Sequence, residues 1–190
     1  MYQTLLSDSS LYKFLLKLDK DLATRCREAG CSCGGHLHSA IYPRKARGNP
    51  SAAEEDCNWR YSFCCALDGC RRRSTPASFR FMGRRVFLGA VVVLISAMRH
   101  GATPKRMAHL RASVGVSRRT VERWRQWWQK DFVRSSFWKA LRGRLRMQID
   151  ESALPLSLLN SFLGDDDRTI LTGFLRFILP LTTSRLDRYF

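Results

Sequence analysis

Two cysteine pairs constrain this chain more than anything else in it. Cys26-Arg-Glu-Ala-Gly-Cys31 and Cys65-Ala-Leu-Asp-Gly-Cys70 share one form: two cysteines around four residues, the last of them glycine. Two thiolates on a tight turn can point at one ion, and a glycine ahead of the second permits the backbone such a turn requires. Two such knuckles brought together make a four-sulfur site of the kind zinc fills. The repetition predicts one structural Zn2+ held by Cys26, Cys31, Cys65 and Cys70, closed by four protein ligands and without a catalytic position. Cys33 is an alternative to Cys26 or Cys31, and His36 or His38 could also enter. Cys57 and Cys64 lack a partner at that spacing and read as small buried or idle thiols. Seven cysteines are an odd number, and Met1 to Leu22 has neither a basic leader nor a cleavage site. Both points favour metal ligands over disulfides and a cytoplasmic setting.

The residues around these cysteines divide the chain. An amphipathic helix is expected over residues 8–22, with Leu11, Phe14, Leu15, Leu18 and Leu22 three or four apart after a cap at Asp8 or Ser9. Residues 25–79 hold all the cysteines, several glycines and only short apolar runs, which fits a zinc ribbon. His36 to Tyr42 and Arg60 to Cys65 read as its strands, and Ala46 to Asp56 as a loop. The longest apolar run, Val86 to Met98, is thirteen residues. A bilayer needs roughly twenty, so the run reads as a buried helix ended by His100-Gly101, and no membrane partner is expected.

A second helix starts at Thr103-Pro104, with Thr as cap and Pro at the first helical position. Val114-Gly115-Val116 breaks it, and Ser117 caps a third helix running to about Phe132. Trp138 to Met147, Leu154 to Leu163 and Ile170 to Leu179 read as further short helices. The fold class expected is mainly α: a helix-turn-helix three-helix core with a small β zinc ribbon and C-terminal helices. The corresponding division is an N-terminal helix at 1–24, the ribbon at 25–79, the helix-turn-helix at 80–134, and a helical interaction segment at 135–190.

Charge then points to a partner. The net charge is +17, and residues 80–149 alone carry +15, with Glu122 and Asp131 as their only acids. Like charges at that density repel in a folded domain unless a polyanion neutralises them, and duplex DNA is the leading candidate. On the third helix Val121, Trp124 and Trp128 fall on one face and should pack inward, with Trp127 open to either role. Arg118, Arg119 and Arg123 fall near the other side, over the turns where such helices meet base edges. Lys105, Arg106 and Arg111 are placed to hold phosphates, and Arg142, Arg144 and Arg146 to extend that contact.

With these motifs in hand a resemblance becomes usable. A zinc ribbon, then Arg71-Arg72-Arg73-Ser74-Thr75-Pro76, a long apolar helix and Gly115-Val116-Ser117-Arg118-Arg119-Thr120-Val121 occur in that order. Over about residues 25–130 this resembles the N-terminal DNA-binding part of zinc-ribbon transposases of bacterial insertion sequences. Those proteins continue into a ribonuclease-H-like domain with three catalytic carboxylates. Here 58 residues follow position 132, too few for that domain, and a loop and a helix start account for Asp165 to Asp167. The resemblance implies a sequence-specific duplex DNA-binding protein associated with a transposable element. It would not be an enzyme, would work in the bacterial nucleoid, and would act with a transposase or other catalytic subunit or with a second copy of itself. The alternatives are an RNA-binding zinc protein and a reduced metal-dependent nuclease or recombinase.

Overall fold

Side-chain caps open five of the eight α-helices in the computed structural model, which describes residues 2–44, 47–48, 55–82, 87–98, 103–145 and 147–183. A short helix α1 (Tyr2–Ser7) leads into α2 (Ser9–Glu28), whose cap is Asp8 accepting from the Ser10 backbone N–H at 2.9 Å. Leu11, Tyr12, Leu15 and Leu16 of α2 are buried, with Phe14, Leu18 and Leu22 packed half-buried beside them. The helix runs six residues beyond the expected end at 22, and Cys26 lies within it.

Five short strands follow, expected over His36 to Tyr42 and Arg60 to Cys65 and found largely there. They are β1 (Leu37–Ser39), β2 (Tyr42–Pro43), β3 (Trp59–Arg60), β4 (Phe63–Cys65) and β5 (Arg73–Ser74). An antiparallel sheet in the order β1-β4-β5 sets Leu37 opposite Cys65 and Phe63 opposite Ser74, and β2 pairs with β3 alone.

The apolar run is only partly the helix expected of it. Phe87 and Leu88 make isolated bridges with Arg47 and Phe81, and α3 (Gly89–Ser96) begins after them. All eight residues of α3 are buried. A helix apolar on every side is stable only when surrounded, and α1, α5 (Arg118–Gln126) and α8 (Asp167–Phe177) close around it. The expected end at His100-Gly101 lies outside the described residues.

The next three helices follow their caps. In α4 (Pro104–Val114) Thr103 Oγ1 accepts from the Arg106 N–H, and Gly115 ends the helix at φ 68°, a conformation side chains with a Cβ rarely adopt. Ser117 caps α5 (Arg118–Gln126), which continues without interruption into a π-helical stretch, Trp127–Phe132. Ser135 caps α6 (Ser136–Leu141), α7 spans Leu156–Leu159, and Asp166 caps α8 (Asp167–Phe177).

One core cluster joins α1, α2 and α3 to Trp124, Trp128, Phe132 and Trp138, and to Leu158, Leu159, Leu171, Phe174 and Leu175. The segments expected as 1–24, 80–134 and 135–190 therefore share a core. Leu158, Leu159, Leu171, Phe174 and Leu175 of the C-terminal helices are buried in it, whereas Leu163 is 89% exposed. The short strands between Leu37 and Ser74 form a small ribbon, whose Leu37, Phe63 and Cys65 make a second cluster with Cys31 and with Ala23 of α2.

A buried ion pair sits where core and ribbon meet. Asp19 and Arg80 are each 1% exposed and 2.8 Å apart. The Asp19 carboxylate also accepts from Ser78 Oγ at 2.5 Å and the Phe79 N–H at 2.6 Å. The Arg80 guanidinium donates further to the carbonyls of Asp56, Cys57 and Trp59. Removing one partner strands the other charge in the interior, so Arg80→Ala should cost about 3–5 kcal/mol in urea unfolding. Breaking the exposed Arg118–Glu122 pair, 69% and 60% accessible, should cost under about 1 kcal/mol.

Candidate metal centre and cationic helix face

The sulfurs of Cys31, Cys33, Cys65 and Cys70 all lie within 4.8 Å of one another and form a group that could hold a metal ion. Contacts cross between the two knuckles, Cys31 to Cys70 at 3.8 Å and Cys33 to Cys65 at 3.5 Å. A tetrahedral thiolate site with metal–sulfur bonds of about 2.3 Å has edges of about 3.8 Å, so the donor set fits a four-coordinate ion. None of the seven cysteines is in a disulfide.

Three of the four expected ligands are in this group, and Cys33 stands in the place expected of Cys26. Local backbone explains the difference. Cys26 belongs to the last turns of α2, whereas the chain turns sharply after it. Gly30, expected to shape a Cys26–Cys31 knuckle, instead follows the helix at φ 68° and reverses the chain. The knuckle itself is Cys31 to Gly35, closed by the Gly34 N–H on the Cys31 carbonyl (2.8 Å) and the Cys31 N–H on the Gly35 carbonyl (3.0 Å). A Cβ at Gly35 would stand 2.7 Å from Cys65 Sγ and 3.4 Å from Cys33 Sγ, so the sulfurs close over a position only glycine can fill. The second knuckle matches its expectation: Gly69 takes φ 87°, and the Cys70 N–H bonds the Leu67 carbonyl. His36 and His38 are not in the group, nor are Cys57 and Cys64.

Crowding splits the thiols. Cys31 is pulled down to about 6, first by the Cys33 backbone N–H and then by the Cys33 thiol, against burial. For Cys65 the Leu67 backbone N–H favours the thiolate, but burial and the neighbouring sulfurs outweigh it and push the thiol up to about 12. Cys70 is raised as well: the Arg72 N–H lowers it, and the Cys33 thiol and burial prevail. One thiolate, Cys31, is thus favoured at neutral pH while Cys65 and Cys70 keep their protons, which a bound cation would displace.

The cationic residues are distributed less evenly than their count suggests. Arg118, Arg119 and Arg123 of α5 are exposed, opposite buried Val121 and Trp124. Arg118 is held by Glu122 at 3.0 Å. Lys105 and Arg111 of α4 are exposed and Arg106 half-buried. Arg144 is exposed, and Arg142 reaches Glu151 at 3.1 Å, an oxygen that also accepts from Trp138 Nε1. Arg146 lies outside the described residues. Trp128 is fully buried and Trp127 half-buried with its ring edge-on to it.

Sequence reasoning missed the interior cations. Arg80 and Arg60 count toward the basic excess yet are buried, Arg60 donating to the carbonyls of Pro76 and Thr182. Arg125 is half-buried and caps the Met98 carbonyl at 2.8 Å. Isolated arginines carry no burial signal in sequence. Asp166, the carboxylate a nuclease reading would need, accepts from the Thr169 N–H at 2.7 Å, a bond that holds its carboxyl below the usual range.

No helix among the described residues is long and apolar enough to cross a membrane. The chain matches no family model, no curated protein and no solved structure.

Two substitutions separate the ligand sets. Cys33→Ser should weaken metal binding by more than tenfold in competition with a chromophoric chelator, and Cys26→Ser should leave it unchanged. Affinity should also fall with acidification, because Cys65 and Cys70 give up protons on binding, and fall more steeply below about pH 6, where Cys31 takes one up as well.

Proposed function

We propose that this protein binds duplex DNA in a sequence-specific manner. A helix-turn-helix of α4, the Gly115 turn and α5 does the reading, beside a ribbon built on zinc. The observation that carries the reading is the two-sidedness of α5. Val121 and Trp124 anchor one side in the core while Arg119 and Arg123 stand free on the other, inside the segment that holds nearly all the excess charge. A capped helix fixed in this way can enter a major groove, and an arginine there can form two hydrogen bonds to guanine. Lys105, Arg111 and Arg144 suit phosphates. Zinc is the ion assigned to Cys31, Cys33, Cys65 and Cys70, because four thiolates in a tetrahedron suit it and leave no open position for catalysis.

The order of ribbon, apolar helix and α5 motif supports a link to a transposable element, in the nucleoid of a bacterium. In this reading the protein marks a DNA site for a separate catalytic subunit, or pairs with a second copy, and has no catalysis of its own. Structured RNA would also suit the charge and the ribbon.

Site selection on random duplexes, followed by competition between the selected duplex and RNA in one gel, tests the reading. Arg119→Ala and Arg123→Ala should each weaken binding to the selected duplex by about 1–3 kcal/mol where the side chain reads a base. Arg118→Ala should cost less, since Glu122 already engages that guanidinium. Preferential binding of RNA, or unchanged affinity for both variants, would overturn the assignment.

A further inference from the structure

Residues 118–134 are helical without a break, α5 passing through the π-helical stretch to Arg134. Seventeen residues span roughly 25 Å, about twice the 12 Å width of a major groove. A helix that crosses the groove with its first two turns among base edges therefore overruns the groove's wall. Lys130 and Arg134 lie on that overrun, about 16 and 22 Å beyond Arg119 at about 1.5 Å per residue. Both are exposed, and among the described residues neither makes an ion pair. Arg119 and Arg123 are four residues apart, and so are Lys130 and Arg134, which keeps each pair on one face. The widened turn between them rotates the second pair part of a turn and keeps it in the same half of the helix surface. Trp128 and Phe132 fill the other half, both fully buried. Asp131 is the one acid beyond Glu122 in the stretch, and it lies about a quarter-turn from Lys130.

We infer that this helix is a divided cationic rail: Arg119 and Arg123 face the bases, and Lys130 and Arg134 grip backbone phosphates where the helix leaves the groove. The inference rests on the duplex-binding reading above. Phosphate contacts raise affinity for every sequence alike and steepen its fall with salt, whereas base contacts set preference between sequences. The two halves of the rail are therefore separable by experiment.

The experiment measures binding of the full-length, zinc-loaded protein to a selected duplex and to a scrambled duplex of the same composition, across a series of salt concentrations. Lys130→Ala/Arg134→Ala should weaken both duplexes by the same factor and flatten the slope of log affinity against log salt by about 1.8, at about 0.9 per phosphate. Lys130→Glu/Arg134→Glu should weaken both further. Arg119→Ala/Arg123→Ala should instead bring the affinities for the two duplexes together. Melting temperatures confirm that each variant is folded. If the unsubstituted protein binds duplex with a steep slope and Lys130→Ala/Arg134→Ala leaves it unchanged, the rail is wrong while the DNA reading stands. A loss confined to the selected duplex would also overturn it. If the unsubstituted protein shows no salt-sensitive duplex binding, both fall together.

Discussion

Asp19 and Arg80 fix how two parts of the chain meet across a core that both already share. Asp19 comes from α2 and Arg80 from the segment leaving the ribbon, 61 residues on. Taking two full charges out of water costs several kcal/mol per ion, and their attraction alone seldom returns it. What makes the pair tolerable is saturation. The carboxylate accepts from Arg80, Ser78 and Phe79, while the guanidinium reaches three backbone carbonyls and lies 4.8 Å from the Phe81 ring centroid. Those carbonyls belong to residues 56–59, so one side chain fixes the entry to β3 as well as the end of the ribbon. Arg60 repeats the device with Pro76 and Thr182, and Ser78 donates its backbone N–H to the Thr182 hydroxyl. Hydrophobic packing sets the stability of such an interior. Directional bonds of this kind set which arrangement it adopts.

The ribbon depends on that anchorage because it can bury little itself. Its own cluster holds five residues, two of them cysteines of the metal group. Apolar burial at about 25 cal/mol per Å² cannot order forty residues from so small a core. An ion among the four sulfurs would supply what the apolar residues do not, since binding energy at a site absent from the unfolded chain is folding energy. Between the knuckles Arg72 bonds Ser32 Oγ at 2.7 Å, a contact that exists only when both are in place.

Local signals were the legible part of this molecule. Asp8, Thr103, Ser117 and Gly115 announce helix ends by chemistry that acts within three or four residues, and each stands where that chemistry requires. Four of the five short strands lie in or at the edge of the apolar runs that suggested them, and β5 does not. Features set by distant neighbours were not legible. Cys26 and Cys33 differ in which side of a helix end they fall, and the four-residue spacing that favoured Cys26 carries no information on where α2 stops. Residues 87 and 88 continue the apolar pattern of α3 but pair as bridges with Arg47 and Phe81, because a fully apolar run has no periodicity to separate strand from helix. The burial of Arg60 and Arg80 is invisible for the same reason. A basic residue shows its role only through the groups it meets.

That distinction bears on the charge. Once Arg60 and Arg80 are assigned to the interior, Arg125 to the Met98 carbonyl, and Arg118 and Arg142 to carboxylates, the cations left to meet a partner are fewer and better placed than +17 suggests. On the long helix they fall opposite an aromatic cluster in which Trp128 lies 4.9 Å from Phe132 and 5.8 Å from Phe174, ring to ring. The Trp128 indole nitrogen has no hydrogen-bond partner among the described residues, an expense of about 1–3 kcal/mol accepted so that the whole ring can sit inside. Large rings packed edge to face in a close-packed interior leave the helix little freedom to roll about its own axis. A helix whose roll is fixed presents the same row of arginines and lysines at every encounter. Rigidity inside and charge outside are thus one feature, and the π-helical turn that lets Trp127, Trp128 and Phe132 pack together also sets the angle between the two cationic pairs.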